Sequence, residues 1–245
     1  MTSLMWIPAD WPAPDGVVAG CSTRRCGVSE GRYASLNLGD HVGDDPAAVT
    51  GNRERLVAVC GLPQEPAWLR QIHGSRVAID PAVGMEADAS LTGERHVVCA
   101  VMVADCLPVL FCRDDGSQVA AAHAGWRGLA SGVLEATLDA FSDSPQSLMV
   151  WLGPAISQSA FEVGDEVREA FIKYDGFAAD HFIRNDRGRW QADLHGLAPR
   201  RVLRYPEMVD SLTVDVVKQA AQRYFDTENY VRVVLYPEAF KQPAN

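Results

Sequence analysis

The sequence predicts a mixed α/β (α+β) fold, and three observations carry that prediction. Residues 97–103, 107–112 and 118–122 are short apolar runs separated by turn formers such as Asp114-Asp115-Gly116, the pattern of buried strands. Directly after them, Leu129, Val133, Leu134, Leu138 and Phe141 recur at helical spacing. Strand-like and helix-like segments then mix along the chain instead of separating into all-α and all-β blocks.

Taken in order, residues 17–23 read as a strand and 24–39 as a long loop rich in Ser, Gly and Asn. Asp45-Pro46 opens a helix through Asn52, Leu56 and Val59, and Gly61-Leu62-Pro63 ends it; Asp caps, and Pro fits the first helical position. A short strand at 67–69 leads into Gln71-Ile72-His73-Gly74. Gly125-Trp126-Arg127-Gly128 starts a helix that runs to Phe141, residues 148–152 form a strand broken by Gly153-Pro154, and Asp165 caps a helix through Phe171. The segment from Tyr205 to Asn245 differs in kind. It contains no Gly, Cys, His or Trp, whereas the preceding 204 residues hold all 20 Gly. Residues 210–225 read as a helix with Val217, Ala221 and Tyr224 on one face, and 230–236 as a strand. The domain reading is a body at 1–204 and an atypical helix–strand segment at 205–245 packed on it.

Composition removes several function classes. With 245 residues, 47% of them hydrophobic, the chain can bury a sizeable core. No apolar run approaches the roughly 20 residues that span a bilayer, so no membrane association is expected. A net charge of −10 disfavours a nucleic-acid footprint. The N-terminus has neither a basic leader nor a long apolar stretch. The six cysteines are therefore expected to be reduced, in the cytoplasm.

The chemistry-bearing residues are His73, Asp105, Cys106 and His123, polar positions set in apolar or Gly-rich surroundings. Two His and one Cys suffice for a catalytic zinc with an open fourth position. The intervals of 33 and 17 residues are too long for a local finger, so tertiary folding must assemble the set. The competing reading is a core thiol and two hydrogen-bonded imidazoles. Six His, none in a His-x-His pair, cannot furnish the three-copper cluster of large laccases. Arg24 and Arg127 adjoin Ser- or Gly-rich loops and suit phosphate or substrate contact, or else surface ion pairs. Asn37 reads as a ligand contact or an Asx turn, and Trp126 as a stacking platform or core. Cys26, Cys60, Cys99 and Cys112 read as packing residues.

At these positions the chain resembles a known family. Ser22-Thr23-Arg24, Ser35-Leu36-Asn37-Leu38, Gly43-Asp44-Asp45, Gln71-Ile72-His73-Gly74, Ala87-Asp88-Ala89, Ala104-Asp105-Cys106-Leu107-Pro108, Ala122-His123-Ala124-Gly125-Trp126-Arg127-Gly128 and Gly153-Pro154-Ala155-Ile156 follow in order the pattern of the YfiH/laccase-domain family, also called the multicopper polyphenol oxidase family. The likeness covers roughly residues 15–200. It implies a layered α/β/β/α single domain and a metal, zinc with copper as the alternative, held by His73, Cys106 and His123, which are also the catalytic residues. With Arg24, Asn37 and Arg127, Gln71 and Asp105 complete the expected substrate-binding set. The implied activity is phosphorolysis of adenosine, inosine and methylthioadenosine, together with adenosine deamination; the alternative is copper-dependent oxidation of phenols. Apart from the family, a metal-free cysteine hydrolase with Cys106 as nucleophile and His123 as base, and a binding module with a structural metal, stay open. The partners are then small molecules, purine nucleoside and phosphate or a phenol, with oligomeric state open. Two departures stand out. Cys26-Gly27 replaces a usual Gly-Gly, and the family's C-terminal Cys-Thr and aromatic-Ser-Tyr-Arg-Arg segments are missing. The tail instead resembles the C-terminal end of pitrilysin-like zinc peptidases, without their catalytic motif, as at a fusion junction near residue 204.

Overall fold

The computed structural model describes residues 5–141 and 148–202. The boundary at 204 and the tail elements at 210–225 and 230–236 lie outside the described residues. Strand β1 (Trp6–Pro8) pairs antiparallel with β2 (Gly20–Ser22), so only the end of the predicted 17–23 strand is paired. Helix α1 (Pro46–Cys60) begins and ends as its sequence dictates. Asp45 accepts a hydrogen bond from the Ala47 N–H, Pro46 sits in the first turn, and Gly61 adopts the left-handed conformation at the C-cap.

Among the described residues, five strands make the central sheet: β3 (Val77–Ile79), β4 (Ala89–Thr92), β5 (Leu107–Arg113), β6 (Val119–Ala124) and β7 (Leu148–Leu152), in the order β3-β4-β6-β5-β7. Of these four pairings, β3–β4 is parallel and the others are antiparallel. Alternation along each strand separates two faces. Leu107, Val109 and Phe111 of β5, Ala120, Ala122 and Ala124 of β6, and Ala89 and Leu91 of β4 belong to one apolar cluster. That cluster takes in Leu129 of α2 (Trp126–Ala130), Val133, Leu134 and Leu138 of α3 (Val133–Asp139), and Leu194, Leu197 and Ala198 of α5 (Leu194–Val202). Small residues on β6 let the helices approach the sheet closely. Truncating a buried leucine such as Leu134 costs about 2–5 kcal/mol. The other face carries Ser90 and His123, both buried polar residues. A smaller antiparallel sheet, β8 (Glu162–Val163), β9 (Phe182–Arg184) and β10 (Trp190–Ala192) in the order β8-β10-β9, packs with α4 (Asp165–Ile172) on the helical side.

The mixed α/β prediction holds, with four local corrections. The predicted helix 125–141 is two helices, because Gly132 takes φ +90° between α2 and α3, a conformation that L side chains rarely adopt. Residues 97–103 are half-buried and form no strand; the Met102 peptide makes its hydrogen bonds with the Gln71 side chain instead of with a neighbouring strand. The strand expected at 67–69 is reduced to a single bridge between Arg70 and Glu86. Gly164, with an extended backbone, is the N-cap of α4, and Asp165 is its first helical residue, its carboxylate accepting a hydrogen bond from the Trp190 indole N–H at 2.6 Å.

Behind the sheet, α3 and α5 are joined by a buried pair. Arg201 Nε lies 2.8 Å from Glu135 Oε1, its other nitrogen donates to the Ala130 carbonyl, and its guanidinium stacks over the Tyr174 ring at 3.6 Å. No helix among the described residues is long and apolar enough to cross a membrane.

Candidate metal centre

Three connections at one end of the sheet carry the predicted ligands. His73 lies in the turn after Gln71-Ile72, Cys106 in the loop entering β5, and His123 near the end of β6. Register does much of the assembly: Pro108 pairs with His123 and Leu107 with Ala124, so the residue before β5 lies beside the end of β6. One nitrogen from each His and the Cys106 sulfur all fall within 4.8 Å of one another. The two imidazoles meet edge-on, with centroids 4.7 Å apart and planes at 72°.

Asp88 organises this arrangement, and sequence reading did not select it as a site residue. It is fully buried. Its Oδ1 accepts from the His73 N–H at 2.8 Å and faces His123 Nδ1 at 2.9 Å; its Oδ2 accepts from the Ile72 N–H at 3.2 Å and the Gly74 N–H at 2.7 Å. Burial alone pushes the Asp88 carboxyl up, but the His123 imidazole and the backbone N–H groups of Gly74, Ile72 and His73 outweigh it and hold the carboxyl below its usual range. An ionised carboxylate only accepts, so His123 carries its proton on Nδ1 and turns the Nε2 lone pair outward. The same three N–H bonds hold His73 at φ +60°, a left-handed conformation uncommon outside Gly. The signal available in the sequence was a lone acidic residue between two alanines at the start of a buried strand, Ala87-Asp88-Ala89.

Gly125 is the second residue that sequence reading passed over. A Cβ placed there would lie 2.7 Å from Cys106 Sγ and 3.2 Å from His73 Cδ2. The site thus needs a residue without a side chain where β6 leads into α2.

The donor set fits a metal. Zinc in tetrahedral coordination, with bonds of about 2.0–2.3 Å, sets its donors roughly 3.3–3.7 Å apart. The three donors, within 4.8 Å of one another, stand somewhat wider than that spacing, and three protein donors would leave one position open. Without a metal, burial first, then the Asp105 charge and hydrogen bond and the Asp88 charge, push the Cys106 thiol up to about 12. A free thiol in that state is a poor nucleophile, which weighs against the cysteine hydrolase; a cation removes the obstacle by stabilising the thiolate. Burial lowers the His73 pKa, aided by the charges of His123 and Arg127 and opposed by Asp88 and Asp105, so the neutral, ligating form is favoured.

The other predicted residues divide into two groups. Asp105 and Arg127 are exposed, and their charges act on His73; Arg127 stacks over the Trp126 ring at 4.4 Å. Arg24, Asn37 and Gln71 are engaged in holding loops. Arg24 donates to the Ala34 carbonyl through both Nε and a terminal nitrogen. Asn37 forms an Asx turn with Gly39 and donates to Asp44. Gln71 is committed to Met102. The loop around Asn37 is pinned by Asn52 of α1, which is fully buried and bonds Val28, Ser29, Ser35 and Asn37.

Residues 18–224 match the family model described as multi-copper polyphenol oxidoreductase laccase. The chain belongs to this family. Its match extends past residue 204 into the compositionally distinct segment. The chain is 51% identical over 199 residues to the protein named purine nucleoside phosphorylase YfiH of Escherichia coli K12, covering 80% of this chain and 82% of that one. It is 46% identical over 200 residues to the purine nucleoside phosphorylase of Haemophilus influenzae, covering 80% and 82%. Among solved structures, the Neisseria meningitidis protein NMB0706 superposes with a TM-score of 0.77 at 50% identity, over 82% of this chain and 83% of that one. YlmD from Geobacillus stearothermophilus gives 0.74 at 29% identity, over 82% and 81%. The family predicted from the motifs is therefore the family found, and the chain is an enzyme of the purine nucleoside phosphorylase-like, laccase-like group.

Proposed function

We propose that this protein is a cytoplasmic, zinc-dependent purine nucleoside phosphorylase acting on adenosine, inosine and methylthioadenosine, with adenosine deaminase activity at the same site. The observation that carries the reading is the convergence of His73, Cys106 and His123 around Asp88, beside an exposed cation and an exposed carboxylate; the names of the relatives agree with it. When bound, zinc supplies Lewis acidity and a water acidified toward neutrality. Asp88 keeps His123 in one tautomer and His73 in one backbone conformation. Arg127, exposed beside the Trp126 ring, would hold the phosphate that attacks C1′ as the glycosidic bond to the purine breaks, and the exposed Asp105 would accept a hydrogen bond from the nucleoside. Deamination exchanges the adenine amino group for oxygen from water and releases ammonia.

A second reading, copper-dependent oxidation of phenols, rests on the Cys-plus-His donor set, which suits copper as well, and on the family description. All six His and all six Cys lie among the described residues, and three of them converge. That leaves no soft-donor cluster for further copper ions. Purified protein analysed for metal and incubated with adenosine and phosphate is expected to give adenine plus ribose 1-phosphate, and some inosine. Arg127→Ala is expected to raise the KM for phosphate more than that for the nucleoside. Turnover of phenols alone, and only with added copper, would sink the phosphorylase reading.

A further inference from the structure

Gln71 stands two residues before His73, and Met102 four residues before Cys106. The Gln71 amide meets the Met102 peptide on both sides. Its Nε2 donates to the Met102 carbonyl at 2.8 Å, and its Oε1 accepts from the Met102 N–H at 2.7 Å. One side chain thereby reproduces the paired bonds of a β-bridge between segments 31 residues apart in sequence. No strand pairing joins the 71–74 turn to residues 97–106, all of which are described. Asp88 makes the corresponding connection from the same turn to His123. The three ligand-bearing segments are thus linked by two side chains, Gln71 and Asp88, that both act on the His73 turn.

We propose that Gln71 is a positioning residue for the metal centre: it sets the spacing between His73 and Cys106, and through that spacing the metal affinity, rather than contacting substrate. Both functional atoms of its amide are engaged by the Met102 peptide, which fixes the amide between the two segments. Outer partners of this kind alter metal affinity by about 10–100-fold when removed. The inference rests on the reading of His73, Cys106 and His123 as metal ligands.

The test is cobalt(II) titration of metal-free full-length protein, followed by thiolate-to-cobalt charge-transfer absorption and by competition with a chelator. Gln71→Met keeps the length and apolar stem and loses both hydrogen bonds; it is expected to weaken cobalt binding by about 10–100-fold and to reduce the charge-transfer band. Gln71→Glu keeps the acceptor for the Met102 N–H and is expected to fall between wild type and Gln71→Met, so that the series stays informative if the methionine variant folds poorly. At saturating zinc, the KM for adenosine is expected to stay within about twofold of wild type. Wild-type cobalt affinity in both variants, with a raised KM for adenosine, would overturn the positioning role and restore Gln71 as a substrate contact. Absence of a charge-transfer band in wild-type protein would instead overturn the metal reading itself.

Discussion

Two carboxylates, Asp88 fully buried and Glu135 half-buried, lie on opposite sides of the same sheet. Asp88 accepts from three backbone N–H groups and faces one imidazole. Glu135 faces the guanidinium of Arg201, which also reaches the Ala130 carbonyl and the Tyr174 ring. The first arrangement fixes the directions of groups that must present lone pairs to something else. The second neutralises charge between two helices and leaves little unspent. A buried carboxylate ringed by peptide N–H groups and an imidazole marks a positioned site, whereas one facing an arginine marks a structural joint.

Substitution at the two carboxylates separates those roles, and the largest effect belongs to Asp88. Asp88→Ala leaves three backbone N–H groups and one imidazole without their acceptor, at about 1–3 kcal/mol for each group that water cannot reach. Denaturant unfolding of the metal-free protein is expected to show a loss of about 4 kcal/mol or more, with zinc affinity lost as well; Asp88→Asn, which keeps one acceptor oxygen, falls between. A metal-free stability close to wild type would show that the turn at 71–74 holds itself. Next comes Glu135→Ala, which strands Arg201. Its cost is about 3 kcal/mol, at the low end for buried pairs, because the Glu135 side chain keeps 15% of its exposure. Zinc affinity is expected not to change; a parallel loss of zinc would show that the two faces are coupled.

The smallest effect is a pH dependence away from the metal. His195 Nε2 lies 2.9 Å from the Gly153 carbonyl and donates to it, and burial lowers the His195 pKa despite that bond. The unfolded chain takes up its proton near pH 6.5, whereas the folded chain resists until a lower pH. Between those two values the unfolded state binds more protons, so stability rises with pH and falls on acidification. His195→Gln is expected to flatten that slope in thermal melts between pH 7 and 5, and an unchanged slope would assign it to other groups.

These contrasts also explain what was legible in the chain. The candidate ligands His73, Cys106 and His123 stood out because ionisable residues in apolar surroundings need a reason to be there. Asp88 did not, since its partners are backbone N–H groups that leave no mark on composition. The same blindness affected residues 97–103: apolar runs announce burial, but a side chain such as Gln71 can take over the hydrogen bonds that a strand would have made. The break between α2 and α3 falls at Gly132, whose positive φ the helical periodicity on either side does not report. Arg24 and Asn37 were placed in the binding set by residue type, and the structure engages both in tying the 24–44 loop.

The register of β5 and β6 has a consequence for how the metal is acquired. Hairpins form in about 1–10 μs, whereas ribosomes add about 5–20 residues each second. Cys106 and His123 flank one short hairpin, and His73 and Asp88 precede it in the chain. The nascent polypeptide therefore carries every ligand before α3, α4 and α5 have been translated. A thiol–imidazole set would prefer copper to zinc on affinity alone, so an ion bound at this stage would be set by which metal the cell makes available. Metal content of the purified protein is then expected to follow the zinc-to-copper ratio during expression, while metal-free protein refolded in a fixed ion mixture gives one composition whatever its growth history.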